Sequence, residues 1–314
     1  MPEWTLSDIP SQTGRLAVVT GATGGLGYET ALALAAAGGE VVLAARNPAK
    51  GRDALKRILE ASPGAKVRFE ELDLGSLASV TAFADRLVAQ GRQIDLLVNN
   101  AGVMALPEKA TTPDGFEMQL GTNYLGHYAL TARLLPLLRR GKQPRVVNLS
   151  STVHRMGSIR FDDLQSERSY SPWKAYAQSK IAMLMFALEL QRRSDAGGWG
   201  LISNGAHPGY ARTDLIANGP GNMGILTRLN HWVQPLISQS AAGGALPTLF
   251  AATSPDAEGK GYYGPDSVFE LKGAPTRAHI AKQARDEAVA ARLWDVSEQL
   301  TAVKWPSDSG KVAS

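Results

Sequence analysis

Short, mostly apolar runs alternate along this chain with longer stretches whose apolar residues recur at helical spacing. The runs lie at residues 16–20, 41–45, 67–72, 94–98, 145–149 and 201–206. Between them, residues 26–37, 76–90, 114–138 and 172–193 predict helices, and Gly38-Gly39 ends the first of these. Asn47-Pro48 reads as a helix N-cap followed by proline at the first helical position. Apolar strands alternating with helices predict a parallel sheet covered on both faces, an α/β doubly wound fold of about seven strands. From residue 217 to 247 the pattern breaks down into glycine, proline and bulky apolar residues. Residues 261–264 and 268–271 offer a last strand, and 280–300 a closing helix.

Composition narrows the classes without naming one. The chain has 314 residues, 44% hydrophobic and 20% charged, which is an ordinary globular balance. No internal repeat or low-complexity linker interrupts it, so one domain spanning 1–314 is expected. With no cysteine, disulfides, thiolate nucleophiles and cysteine-ligated metals are excluded. The net charge of +4 is mild. The densest basic group (Arg139, Arg140, Lys142, Arg145) falls where a helix ends, a place that favours cations, so no nucleic acid is expected as partner. The first ten residues lack the basic start and apolar core of a signal peptide, and no apolar run reaches the ~20 residues of a transmembrane helix. A soluble, cytoplasmic chain is the expectation. His127, His154, His231 and His279 show no metal-ligand spacing, so they read as surface or core residues, and no metal is expected.

Two segments carry chemistry. Thr20-Gly21-Ala22-Thr23-Gly24-Gly25-Leu26-Gly27 joins the first strand to the first helix. Glycines let a backbone approach an anion closely, and a helix N-terminus supplies unpaired N–H groups, which suits a pyrophosphate as well as it suits a tight turn. Tyr176 and Lys180 are four residues apart in a helical stretch, hence on one face. An ammonium near a phenol favours the phenolate and lowers a pKa that is otherwise about 10. Such a pair serves as general acid for carbonyl reduction or base for alcohol oxidation. Strand five ends in Asn148-Leu149-Ser150-Ser151, where a hydroxyl can stabilise charge developing on a carbonyl oxygen. Asn123 is unusual inside a helix and points to a special backbone or water contact. No G-x-S-x-G elbow is present, so Ser151 is not read as an acylating nucleophile.

The T-G-x-x-x-G-x-G spacing of the turn, Asn99-Asn100-Ala101-Gly102, Asn123, Ser151, Tyr176-x-x-x-Lys180 and His207-Pro208-Gly209 occur in order over residues 14–215. In this the chain resembles the short-chain dehydrogenases/reductases. The resemblance implies a Rossmann fold with strand order 3-2-1-4-5-6-7 and a catalytic group of Asn123, Ser151, Tyr176 and Lys180, with Asn123 holding a water that links Lys180 to solvent. It implies a nicotinamide cofactor met by Gly21, Thr23, Gly24, Gly25, Leu26 and Gly27. Asp73 and Leu74 would lie at the adenine, with Asn100, Ala101 and Gly102 along the cofactor wall. Pro208, Gly209 and Thr213 would flank the nicotinamide, and Tyr176 and Lys180 would touch the cofactor as well. Strand two ends in Ala44-Ala45-Arg46 with no carboxylate, which favours NADP(H) over NAD(H), because Arg accommodates the 2′-phosphate.

The interval between Ser151 and Tyr176 is longer than is usual in the family. Its sequence, with the runs 261–265 and 293–297, is similar to that of retinol dehydrogenases and their bacterial relatives. An apolar aldehyde, ketone or alcohol is the expected substrate, and a homo-oligomer is compatible with everything above. Residues 216–250 are expected to form a substrate-binding lid, in which Leu226, Trp232, Leu236 and Ile237 cover the substrate or simply pack in a core helix. Residues 251–314 supply the last strand and helix. Two rival readings are an extended-type sugar-nucleotide epimerase or dehydratase, and an NADP-sensing regulator without catalysis. The glycine spacing and the missing acidic residue weigh against the first, and the complete catalytic group against the second.

Overall fold

The computed structural model describes residues 3–211 and 239–306. Eight strands form one sheet in the order β3-β2-β1-β4-β5-β6-β7-β8. They are β1 (Leu16–Thr20), β2 (Glu40–Ala45), β3 (Lys66–Glu71), β4 (Leu96–Asn99), β5 (Arg145–Leu149), β6 (Ile202–Ala206), β7 (Tyr262–Pro265) and β8 (Pro275–Arg277). All neighbours run parallel except β7 and β8, which are antiparallel.

Side chains alternate across the sheet and feed two cores. Ala17, Val19, Val41 and Leu43 face α1 (Gly25–Ala36), α2 (Pro48–Ala61) and a later helix rich in Ala and Leu. Leu16, Val18, Val42 and Val146 face α3 (Leu77–Gln90), α5 (Gly126–Leu138) and α6 (Pro172–Gly197). The last helices are α7 (Ala241–Thr253), on the α1 side, and α8 (Glu287–Thr301), on the α6 side. A strand buried on both faces cannot show polar alternation, which is why these runs read as continuous apolar segments. Trp294 of α8 locks that helix to the body, its ring 5.1 Å from Tyr128 and 5.7 Å from Phe186.

The strand order reverses at β1 and β4, which lie side by side. Ligands of doubly wound sheets bind at such a switch point, beyond the C-terminal strand ends. The turn after β1 and the segments after β4, β5 and β6 all emerge at that edge.

Several sequence expectations are corrected. The seven expected strands keep the expected order, and Pro275–Arg277 adds an antiparallel edge too short to register as an apolar run. Residues 268–271 are not a strand: Val268–Glu270 forms a tight turn. The closing helix begins at Glu287, capped by Asp286 on the Val289 N–H, instead of at residue 280. The long helix expected over 114–138 is interrupted: α4 (Met118–Leu120) leads into a π-helical turn, Gly121–Leu125, before α5. Of the stretch expected as a lid, residues 241–250 belong to α7, whose Ala245 and Leu249 are fully buried in the core. Leu226, Trp232, Leu236, Ile237 and Thr213 lie outside the described residues.

Candidate active site

The turn after β1 is shaped by glycine. Gly21 and Gly25 adopt left-handed backbone (φ 68° and 52°), where a side chain is strained. A Cβ on Gly27 would lie 2.4 Å from the Gly21 carbonyl oxygen and 2.5 Å from Asn100 Nδ2, so α1 docks on the turn only without one. Gly24 caps α1 with no side-chain hydrogen bond. Asn47, Ser76, Ser240 and Asp286 do cap α2, α3, α7 and α8 with theirs. The first amides of α1, like those of α6, thus have no side-chain cap, and they lie at the positive end of the helix dipole.

Around the turn stand the other predicted contacts. Asn100 donates from Nδ2 to the Thr20 carbonyl (2.7 Å), and the Asn100 and Ala101 amides donate to Thr20 Oγ1 (2.9 and 3.0 Å). Asp73 accepts the Gly75 amide (2.9 Å) in a local turn. Leu74 is buried, its carbonyl so close to Gly126 that α5 passes only because that residue lacks a Cβ. Arg46 is exposed at the end of β2 and makes no hydrogen bond or ion pair among the described residues. Pro208 and Leu26 meet at Gly244 of α7, which brings the segment after β6 against the turn. Gly209 is left-handed (φ 63°), and a Cβ there would strike the Leu271 carbonyl.

The four residues of the expected catalytic group converge at the ends of β4 and β5. Helix α6 starts at Pro172 after Ser171 and is buried along almost one unbroken run, 175–187, between the sheet and its neighbours. That run carries Tyr176 and Lys180. Lys180 Nζ donates to the Leu149 carbonyl (3.1 Å) and lies 5.6 Å from the Tyr176 ring centroid. Ser151 stands beside the Tyr176 phenol, while Ser150 faces inward and donates to the Lys180 carbonyl (2.7 Å). Asn123 sits in the π turn, as an unusual helical asparagine suggested. Its Oδ1 accepts the Val103 amide (2.7 Å), and its Nδ2 donates to the Val103 carbonyl and to Ser179 Oγ (both 2.9 Å). That side chain is thus gripped between the loop after β4 and α6. Asn99 is likewise enclosed, donating to Asn148 Oδ1 and Thr131 Oγ1, which makes it a sheet brace.

The electrostatics depart from the simple expectation. Burial pushes the Tyr176 phenol up to about 12 although the Ser151 hydroxyl beside it lowers it, and burial pushes Lys180 down to about 8. In the protein alone, desolvation of both groups outweighs their mutual effect.

Sequence reasoning missed other groups at this edge. Arg57 of α2 donates to the Thr23 carbonyl (3.2 Å) and stacks on Tyr28 at 4.2 Å; only its position on a helix facing the turn hinted at it. His127, His154 and His207 are fully buried next to predicted site residues, and nothing in their spacing foretold that. Trp173, half exposed, stands edge-on to Tyr176 with ring centroids 6.2 Å apart. Among the described residues no helix is long and apolar enough to cross a membrane.

Comparison with known proteins fits this geometry. The family pattern described as short chain dehydrogenase matches residues 15–220. The chain is 41% identical to mouse (Mus musculus) polyprenol dehydrogenase over 93% of its own length and 85% of that protein's. It is 38% identical to human (Homo sapiens) retinol dehydrogenase 12, with 93% and 88% covered. A crystal structure of an uncharacterized protein from Mycobacterium paratuberculosis superposes with a TM-score of 0.80 at 41% identity, covering 97% of this chain and 99% of that one. With its fold, its glycine turn and these relatives, the chain belongs to the short-chain dehydrogenase/reductase family of nicotinamide-dependent oxidoreductases, in the retinol dehydrogenase-like branch.

Proposed function

We propose that this chain is an NADP(H)-dependent oxidoreductase that passes hydride between the nicotinamide and the carbonyl or alcohol carbon of an apolar aldehyde, ketone or alcohol. The observation that carries the reading is the Tyr176 phenol beside Ser151 at the end of β5, with Lys180 one helical turn along and its Nζ 5.6 Å from the Tyr176 ring centroid. The uncapped amides of α1 and the glycine-lined turn fit a pyrophosphate. Arg46, exposed at the end of β2 and without a partner among the described residues, fits the 2′-phosphate of an adenosine ribose bound there. A bound nicotinamide supplies or accepts the hydride. Ser151 orients the substrate oxygen and stabilises charge growing on it. Tyr176, protonated at neutral pH because burial holds its pKa near 12, donates the proton to that oxygen in the direction of reduction. Lys180, lowered to about 8, carries its charge at neutral pH and loses it as pH rises through that value. Reduction is therefore expected to slow above about pH 8. An apolar substrate accords with Trp173 beside Tyr176 and with the retinol and polyprenol dehydrogenases among the relatives. In this reading residues 14–215 hold the cofactor and catalytic group.

The test is a panel of aldehydes, ketones and secondary alcohols assayed with both cofactors. Tyr176→Phe keeps the ring and removes the transferable proton; kcat is expected to fall by about 1,000-fold with NADPH binding unchanged. Arg46→Ala is expected to weaken NADPH binding about tenfold and leave NADH alone. Unchanged turnover in Tyr176→Phe overturns the mechanism, and a wild-type preference for NADH overturns the assignment of Arg46.

A further inference from the structure

His127 lies one turn beyond Asn123, at the start of α5, and is entirely buried. Its two ring nitrogens reach two different parts of the site. Nδ1 is 2.8 Å from the Asn123 backbone carbonyl, and Nε2 is 2.9 Å from Thr20 Oγ1, at the head of the phosphate turn.

Hydrogen-bond accounting decides where the protons are. A carbonyl only accepts, so Nδ1 must carry the hydrogen that meets Asn123. Thr20 Oγ1 already accepts two amides, those of Asn100 and Ala101, and its single hydrogen has two takers: His127 Nε2 at 2.9 Å and the Val98 carbonyl at 3.3 Å. The closer one is Nε2, which must then be bare. The imidazole is thus neutral in one tautomer. Burial agrees, pushing His127 down to about 4; the Asn123 carbonyl raises it, and the nearby Lys180 charge lowers it further.

The contacts continue outward on both sides. Asn123 grips Val103 in the loop after β4 and Ser179 beside Lys180. Thr20 collects the amides of Asn100 and Ala101 and precedes Gly21.

Resting on the function proposed above, we infer that His127 is a positioning residue, a neutral Nδ1–H clamp between the Asn123 carbonyl and the Thr20 hydroxyl. Its Asn123 half sets the π turn that braces the catalytic helix, and its Thr20 half sets the phosphate turn. Two substitutions separate the halves. Asparagine places an amide nitrogen near the δ position and stops short of Thr20. Glutamine reaches the ε position and leaves the Asn123 carbonyl.

His127→Gln is expected to lower kcat about tenfold with the Kd for NADPH within twofold of wild type. His127→Asn is expected to keep kcat within about threefold and to weaken NADPH about tenfold. Independently of activity, nitrogen-15 spectra of histidine-labelled wild type, assigned by the signal lost in His127→Asn, should show a bare Nε2 and protonated Nδ1 that do not titrate from pH 8 to pH 5. An Nε2–H tautomer, titration in that range, or equal losses of kcat and NADPH affinity in both variants would falsify the clamp. The spectra need no folded variant beyond the one used for assignment, which a difference in histidine count can replace. If Tyr176→Phe retains turnover, the proposed function fails while the tautomer result stands or falls by itself.

Discussion

Two tight loops of this molecule need left-handed backbone, and they obtain it in opposite ways. The turn after β1 uses glycine at both positions, Gly21 and Gly25. The loop after β7 uses Phe269 and Glu270, consecutive residues at φ 62° and 57°. Each non-glycine residue there costs of order 1–2 kcal/mol. The second loop is held by contacts. The Glu270 carboxylate lies 2.6 Å from Arg155 Nη2 and 2.9 Å from His207 Nε2, the latter off the line of an ideal hydrogen bond, and it accepts the His279 amide at 2.9 Å. Arg155 belongs to the loop that Ser151 begins, and His207 precedes Pro208-Gly209. One carboxylate therefore joins the segments after β5 and β6. A strained shape made from glycine leaves backbone free to meet a ligand. One made from side-chain contacts is a fastener, and its apolar members, Val268 and Phe269, are left at the surface.

The comparison can be broken most sharply at the first loop. Gly27→Ala puts a Cβ against fixed backbone at 2.4 Å, with no flexible neighbour to yield. A loss of about 3 kcal/mol in urea unfolding is expected, together with loss of NADPH binding. A variant as stable as wild type would mean that the turn is not rigid.

At the second loop, Glu270→Gln keeps the shape and removes the charge. Burial raises the Glu270 carboxyl, but the His207 ring beside it, the His279 amide and the Arg155 charge outweigh it and bring it to about 2. A depressed carboxyl stabilises the fold above its unfolded value near 4.5 and loses that contribution as pH falls toward 2. The stability gap between wild type and Glu270→Gln, about 2 kcal/mol, should thus be full at neutral pH and narrow below about pH 4.5. A constant gap would exclude the ion cluster as the fastener. Wild type itself should weaken earlier. His127 and His154 are both lowered to about 4 by burial, so the unfolded chain binds more protons than the folded one from about pH 6.5 downward. Urea melts at pH 7 and pH 5 check this.

The smallest effect should be Phe269→Gly. It relieves one left-handed residue and forfeits only an exposed ring, but glycine adds unfolded-state entropy. A gain of about 0.5 kcal/mol is expected, read as a higher urea midpoint. A loss would show that the ring contributes packing that its exposure conceals.

The same contrast explains what could be read along the chain. The Asn47 cap accepts the Ala49 and Lys50 amides as its sequence predicts, and β1 and β5 span the residues expected, because caps and apolar runs are local properties. The π turn escaped as an element because the apolar periodicity runs on between Met118 and Leu138, and Asn123 alone marked it. The irregular turn carries the exchange of hydrogen bonds between Asn123 and Val103, 20 residues away. Strand β8 escaped because three residues with a proline have no pattern of their own.

By itself, then, the amino-acid sequence determined the alternation of strand and helix, the glycine turn, and the pairing of Tyr176 with Lys180 on one helical face. Each depends on backbone conformation or on spacing within a few residues. Tertiary structure alone decided that Ser151 meets the Tyr176 phenol and Ser150 does not, that burial raises that phenol instead of the ammonium lowering it, and that His127 joins Asn123 to Thr20. Those outcomes depend on desolvation and on hydrogen-bond partners up to 107 residues apart, quantities that no local pattern encodes.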